Sequence, residues 1–322
     1  MSTNELLPLF RKNEVLAITS EGYDQMVRMA ESGKKMRDAA GPAARGTVAV
    51  IPIKGPILYF DSWMGVNTNR IGDAIEAAAD SPRVSKIVLD IDSPGGTSYM
   101  TQELSDRILV AGEKKRIEAV ANPLSASAAY WIGSAAHRLY ATPSGDVGSL
   151  GTYQMHVDYS KAMEDMGIQV TFIHAGKNKV EWSPYHELKQ ETIDHAQEEV
   201  NQVNDLFMSD VARNRGVPKS VVTSAAWGQG RTLIASRALA VGMIDGIRTL
   251  NNVVSDRPSK THTRSVAAMN TQAQITDLLN ESWENGYSSR FTPVNDGLRD
   301  QIVTRRRDRE RATLAMAKLT QK

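Results

Sequence analysis

The stretch "SKIVLDIDSPGG" at 85–96 decides the fold. Ile87, Val88, Leu89 and Ile91 form a short, nearly continuous apolar run rather than an alternating one. A strand of that kind is covered on both faces, as in a parallel sheet with helices on either side. The run ends in Pro-Gly-Gly, at the carboxyl end of the strand, where open α/β sheets place their ligands. Two consecutive glycines let the backbone come close to a bound group and leave N–H groups directed outward, toward a phosphate or a developing oxyanion. A plain strand-to-helix turn is the other reading of "DSPGG". The glycines do not form GxGxxG and no P-loop lysine follows them, which excludes the common nucleotide sites.

Working outward, "TVAVIPIKGPI" (47–57) reads as a strand through Val48, Val50, Ile51 and Ile53, with Pro52 marking its end or a sheet edge. "RIGDAIEAAADSP" (70–82) and "SYMTQELSDRILVAGEKK" (98–115) have helical spacing, and "RIEAVAN" (116–122) is a strand between the second of these and a helix expected over about 127–136. Beyond lie a helix at 159–167, a strand "IQVTFIHAG" at 168–176, a long helix across 191–215, and a closing segment at 217–247. Alternation of this kind predicts an α/β fold with a mainly parallel sheet and right-handed crossover helices. Upstream, residues 20–36 read as a short amphipathic helix and 39–46 as a linker, so 1–46 form an N-terminal extension. The main domain runs over 47–254. Apolar periodicity stops near 255–265, and 255–322 read as a linker and polar tail. Its last segment, 304–322, carries seven Lys/Arg against two Asp/Glu: a solvated helix face, or a docking site for an acidic partner or nucleic acid.

Composition narrows the chemistry. With 38 Lys+Arg against 37 Asp+Glu in 322 residues, no whole-chain attraction to nucleic acid or to an anionic membrane is implied. The chain has no cysteine, so disulfides, a thiol nucleophile and thiolate metal sites are excluded. No HExxH, ligand-spaced His/Asp cluster or calcium loop appears, and neither a metal nor a cofactor is expected. The N-terminal sequence lacks the apolar core of a signal peptide, and no run approaches the roughly 18 apolar residues of a membrane span. The expectation is a soluble, cytoplasmic protein.

"PLSASAAYW" (123–131) offers a nucleophile. Ser127 precedes a helix and is a natural N-cap. The same position suits a reactive hydroxyl, because the first helical N–H groups are unpaired and the helix dipole favours negative charge there. Ser125 is nearer the strand end and has the weaker claim. A serine nucleophile needs a base. His156, oriented by Asp158 or Asp194, would complete a triad. A lysine at Lys177 or Lys179, after the predicted strand, serves instead if its pKa falls from about 10.4 toward neutrality. Residue types alone leave these open.

Four segments in order, "IVLDIDSPGG", "SASAAYWIGSAAHRLYATPSGDVGSLGTY", "GIQVTFIHAGKNKVEWSPY" and "GRTLIASRALAVGMIDGI", resemble the signal peptide peptidase A family of serine proteases, relatives of the Clp protease and crotonase-like fold. The resemblance covers roughly 47–250. It implies a Ser-Lys dyad: "ASAAY" aligns with the nucleophile motif and selects Ser127, and "GKNK" aligns with the Gly-x-x-Lys motif and selects Lys179, 52 residues on. It also implies an oxyanion hole of backbone N–H groups from Gly95 or Gly96 and from Ala128. Ala128 and Ala129 depart from the glycines frequent there, which leaves the N–H in place but narrows the pocket. In the family the serine and lysine can meet across a subunit interface, so a homo-oligomer is expected. "LAITSEGYDQMV", the basic tail and the missing anchor resemble the phage head (prohead) maturation branch, which implies cleavage of capsid, scaffold or portal proteins, and of itself, inside an assembling prohead in the host cytoplasm. A soluble bacterial peptidase of the family is the alternative within the class. An assembly scaffold that keeps the fold without activity is the alternative outside it.

Overall fold

A computed structural model of the chain describes residues 14–32, 43–45 and 47–256. Contacts divide the chain into Met1–Pro258 and Ser259–Lys322. The second unit, with the basic stretch 304–322, lies outside the described residues.

The first unit opens with β1 (Leu16–Ile18), α1 (Ser20–Ser32), β2 (Ala43–Arg45), β3 (Val48–Lys54), β4 (Ile57–Leu58), β5 (Val66–Asn67) and α2 (Thr68–Asp80). It continues with β6 (Lys86–Ser93), β7 (Gly95–Thr97), α3 (Thr101–Lys114), β8 (Arg116–Ala126), α4 (Ala128–Ser134), β9 (Arg138–Ala141) and β10 (Asp146–Gly148). It closes with α5 (Ser160–Asp165), α6 (Gln190–Arg215), α7 (Lys219–Val222), β11 (Thr232–Ile234), α8 (Ala235–Ala240), β12 (Gly246–Ile247) and α9 (Leu250–Val254).

The larger sheet runs β11-β10-β8-β6-β3-β2, with β9 on β8 and β12 on β9. The β3/β6, β6/β8, β8/β9, β8/β10 and β9/β12 pairs are parallel, and only the edges β2 and β11 run antiparallel. This is the parallel α/β architecture that the apolar run predicts. Ile87, Val88, Leu89 and Ile91 on β6 are each fully buried. Each is worth about 1.5–3 kcal/mol relative to leaving it in water. α2, α3 and α4 cover the sheet: Ile71 and Ile75, Leu104 and Ile108, and Tyr130, Trp131 and Ile132 turn inward. Trp131 stacks on Phe207 of α6, ring centroids 4.5 Å apart, and its indole N–H donates to Asp210 at 3.0 Å.

β8 is shared along its length. Glu118–Ala121 pair with β9, and beyond Asn122-Pro123 the strand bends so that Leu124–Ala126 pair with β10. The bend delivers Ser127 to the point where the two neighbours diverge.

Two expectations are corrected. Residues 39–46 read as a linker, but Ala43–Arg45 pair with Val48–Val50 as an edge strand. An edge strand needs only backbone partners, so three residues, Ala-Ala-Arg, carry no periodic signal. Residues 168–176 read as a strand and form none: the segment is irregular and exposed, without a ladder partner among the described residues.

Candidate active site

Ser127 sits at the corner between β8 and α4, with φ 55° and ψ −122°. A non-glycine residue there is strained by about 1–3 kcal/mol and persists only when its surroundings enforce it. Here its N–H donates to the Gly148 carbonyl at 2.7 Å, and its own carbonyl accepts from Trp131 N–H at 3.0 Å. The same sharp strand-to-helix corner presents the nucleophile in α/β-hydrolases. The hydroxyl makes no capping bond. Ser127 is fully buried and its Oγ has no hydrogen-bond partner among the described residues. The cap reading of Ser127 therefore fails for its side chain: a buried hydroxyl that lacks a partner costs about 1–3 kcal/mol unless something else uses it. Ser125 Oγ is also buried without a partner, but it lies within the strand, on the side of Gly133.

The "DSPGG" glycines meet Ser127 directly. Gly95 has φ +100°, and a Cβ there would stand 2.8 Å from Ser127 Cβ and 2.2 Å from the Ala17 carbonyl oxygen. A Cβ at Gly96 would stand 1.8 Å from the Ile57 carbonyl oxygen. Both glycines are thus demanded by close backbone approach, and they lie in β7 rather than in a free turn. The Gly95 N–H donates to the Ser93 hydroxyl at 3.2 Å. Ala128 is the first residue of α4, so its N–H has no acceptor within the helix. Asp92 lies half-buried at the start of the same motif, and burial raises its carboxyl pKa against the opposing pull of Lys54.

The candidate bases are elsewhere. His156 Nε2 lies 3.1 Å from the Ser183 carbonyl oxygen and its ring meets Trp182 edge-on. Asp158 accepts from Ser160 N–H at 2.7 Å, and that bond holds its pKa low. Asp194 accepts from Gln190 at 2.7 Å. The Ser-His-Asp alternative is therefore not assembled. Lys177 Nζ is 2.6 Å from Glu191, which raises its pKa and keeps it protonated, unavailable to accept a proton. Lys179 follows a turn in which its N–H donates to the Gly176 carbonyl at 3.2 Å, and its side chain is exposed. Since Ser127 Oγ has no partner, Lys179 does not reach it within one chain. Two contributors lie in stretches that carry the resemblance but are not assigned to the site from the sequence: β1, which borders Gly95, and Tyr153, which pairs with β1. Among the described residues no group of His, Asp and Glu could hold a metal ion, and no helix is long and apolar enough to cross a membrane.

A parallel sheet with crossover helices, ending in a strained serine beside a glycine pair, has the architecture of a Clp-like peptidase. Residues 111–264, a stretch that includes Ser127 and Lys179, match the model of peptidase family S49. The chain is similar to capsid assembly protease C of Escherichia phage lambda, 28% identical over 262 residues, covering 76% of this chain and 60% of that protein. It is also similar to head-tail preconnector protein GP5 of Enterobacteria phage P21, 27% identical over 243 residues, 72% of this chain and 48% of that one. A third relative is the chloroplastic serine protease SPPA of Arabidopsis thaliana, 24% identical over 204 residues, 63% of this chain and 30% of that one. The chain thus matches 60% and 48% of the lengths of the two phage relatives.

Proposed function

We propose that this protein is a serine endopeptidase of phage head maturation, with Ser127 as nucleophile and Lys179 as general base. The observation that carries the reading is the Ser127 corner: a strained backbone holds a buried, unpartnered hydroxyl against Gly95. Neutral Lys179 accepts the Ser127 proton as Oγ attacks the scissile carbonyl carbon. The tetrahedral oxyanion is held by the Ala128 N–H and by an N–H of Gly95 or Gly96. Collapse breaks the C–N bond, the lysine gives its proton to the leaving amine, and water then hydrolyses the acyl-enzyme.

An exposed lysine, with its ordinary pKa of about 10.4, is protonated at neutral pH, so a lysine serves as a base there only when desolvated. Lys179 is exposed in the single chain, and its segment presents Ile168 (50% exposed), Val170 (38%), Phe172 (39%) and Ile173 (99%). Covering this face with a second copy both buries the apolar residues and supplies the dry site. The protein is accordingly read as a homo-oligomer whose dyad forms between copies. Its substrates are capsid, scaffold or portal proteins and its own chain, cut within the assembling prohead in the host cytoplasm.

Intact mass spectrometry of capsid and scaffold proteins incubated with wild type, Ser127→Ala, Lys179→Ala and Lys177→Ala tests this reading. Cleavage is expected with wild type and Lys177→Ala and is absent from the other two. Cleavage that persists in Ser127→Ala sinks the assignment, and loss in His156→Ala with retention in Lys179→Ala would restore the triad.

A further inference from the structure

A three-residue strand lies against the candidate site, and the reaction just described makes no use of it. β1 runs antiparallel to β7, with Leu16 opposite Thr97, Ala17 opposite Gly96 and Ile18 opposite Gly95. Its other edge is joined to Tyr153: Leu16 N–H donates to the Tyr153 carbonyl at 2.9 Å, and Tyr153 N–H donates to the Leu16 carbonyl at 3.1 Å. Both flanking stretches belong to the surroundings of Ser127. β7 begins at Gly95, which abuts Ser127 Cβ, and Tyr153 follows shortly after Gly148, whose carbonyl holds the Ser127 N–H.

The pairing is that of a bound peptide. Ser98 N–H donates to Val15 at 3.3 Å and Thr19 N–H to Pro94 at 2.9 Å. In an antiparallel ladder bonded pairs alternate with unbonded ones, so Ala17 and Gly96, midway between them, form the next bonded pair. Extended peptides bind in this way, adding a strand to exposed backbone edges while side chains fill pockets. Val15, Leu16, Ala17 and Ile18 are uncharged and 0–5% exposed. The strand direction brings the Ala17 carbonyl to the Gly95 position that also abuts Ser127. Ser127 lies beneath, fully buried.

We propose that β1 is an intramolecular stand-in for the peptide substrate. It occupies the backbone track between β7 and Tyr153 that an extended apolar peptide takes during cleavage, and it covers Ser127 until displaced. This rests on the reading of Ser127 as nucleophile. A tethered strand competes at an effective concentration of order millimolar, so only peptides with an extended apolar run displace it efficiently.

The absence of native cysteine allows a clean test in the full chain. Leu16 and Thr97 face each other as an unbonded antiparallel pair, for which Cα atoms lie about 4.5 Å apart, within disulfide reach. Leu16→Cys with Thr97→Cys locks β1 in place on oxidation and frees it on reduction. A fluorophosphonate probe reads Ser127, with Ser127→Ala as the blank. Labelling of the reduced double variant is expected to slow at least tenfold on oxidation and to recover with reductant. Ala17→Pro, which removes a pairing N–H, is expected to label at least tenfold faster than wild type. Should Ala17→Pro unfold, the redox arm decides alone. Equal labelling of oxidised and reduced forms overturns the proposal and leaves Ser127 as nucleophile, with β1 a fixed wall of the site. If every folded form, reduced or oxidised, neither labels nor cleaves, the nucleophile reading falls and this inference with it.

Discussion

At the scale of single residues, geometry separates groups that residue type leaves equivalent. Ser125 and Ser127 are both buried hydroxyls without partners, yet only Ser127 has the left-handed backbone that turns a strand into a helix. Lys177 and Lys179 are two residues apart, and the Glu191 carboxylate occupies the first. Sequence made both pairs visible: it put Ser125 below Ser127 only for its nearness to the strand end, and it left Lys177 and Lys179 unranked without the resemblance, because neither a positive φ nor a spatial neighbour such as Glu191 shows in residue type. Gly95 is the sharpest case. An alanine there meets a backbone oxygen at 2.2 Å and Ser127 Cβ at 2.8 Å, at a φ of +100°. Gly167, with φ +68° and nothing within 4 Å, bears only the conformational cost. Gly167→Ala should therefore destabilise by about 1–2 kcal/mol and keep Ser127 reactive. Gly95→Ala should cost more and lose at least ten-fold in labelling of Ser127. Urea titrations paired with fluorophosphonate labelling check both, and equal behaviour of the two variants would refute the role given to Gly95.

At the scale of elements, long periodic segments were legible and short paired ones were not. α2, α3 and α6 fall within a few residues of their predicted spans; α2 and α3 bury an apolar stripe along their length, and α6 buries its apolar residues mainly in its last turns, Phe207–Ala212. β1, β4 and β7 have two or three residues each, and their existence depends on the backbone beside them. The 168–176 segment errs the other way. Its Ile168, Val170 and Phe172 alternate as a strand should, but the described residues offer no neighbouring ladder. An exposed apolar segment of this kind invites contact with another chain. Ile173 isolates the question because it is 99% exposed. Ile173→Asp removes no contact within the chain, so its unfolding free energy should change by no more than about 0.5 kcal/mol. If copies meet on this face, sedimentation velocity should show the assembled species lost and proteolysis lost with it. An unchanged sedimentation profile would show that the face is not the interface.

At the scale of the whole described unit, the mainly parallel sheet and its crossover helices follow from the sequence, whereas the strand order and the ties that hold distant segments to the sheet do not. Asp245 is the main one. Its carboxylate is 2.7 Å from Arg215 at the end of α6 and 3.1 Å from Arg138 on β9, and it accepts from Leu139 N–H at 2.8 Å. Close by, the Tyr130 hydroxyl of α4 donates to the Met243 carbonyl at 2.7 Å, so the helix that follows Ser127 leans on the same loop. Burial pushes the Asp245 carboxyl upward, but the Arg215 charge and the hydrogen bonds outweigh it and hold the pKa below its ordinary 3.8. A carboxylate depressed on folding stabilises fully above its unfolded pKa and loses that contribution as pH falls through the folded one. The loss therefore belongs below pH 3.8, and the tie is intact at neutral pH. Asp245→Asn leaves Arg215, which is 5% exposed, as a buried charge without its carboxylate. Breaking such a pair typically costs about 3–5 kcal/mol. Urea unfolding of wild type and Asp245→Asn from pH 7 down to 3 should show a constant gap of that order above pH 4 that narrows below it, because protonation removes from the wild type what the substitution has already removed. A gap that stayed constant through pH 3 would mean that Asp245 contributes by shape and hydrogen bonding alone.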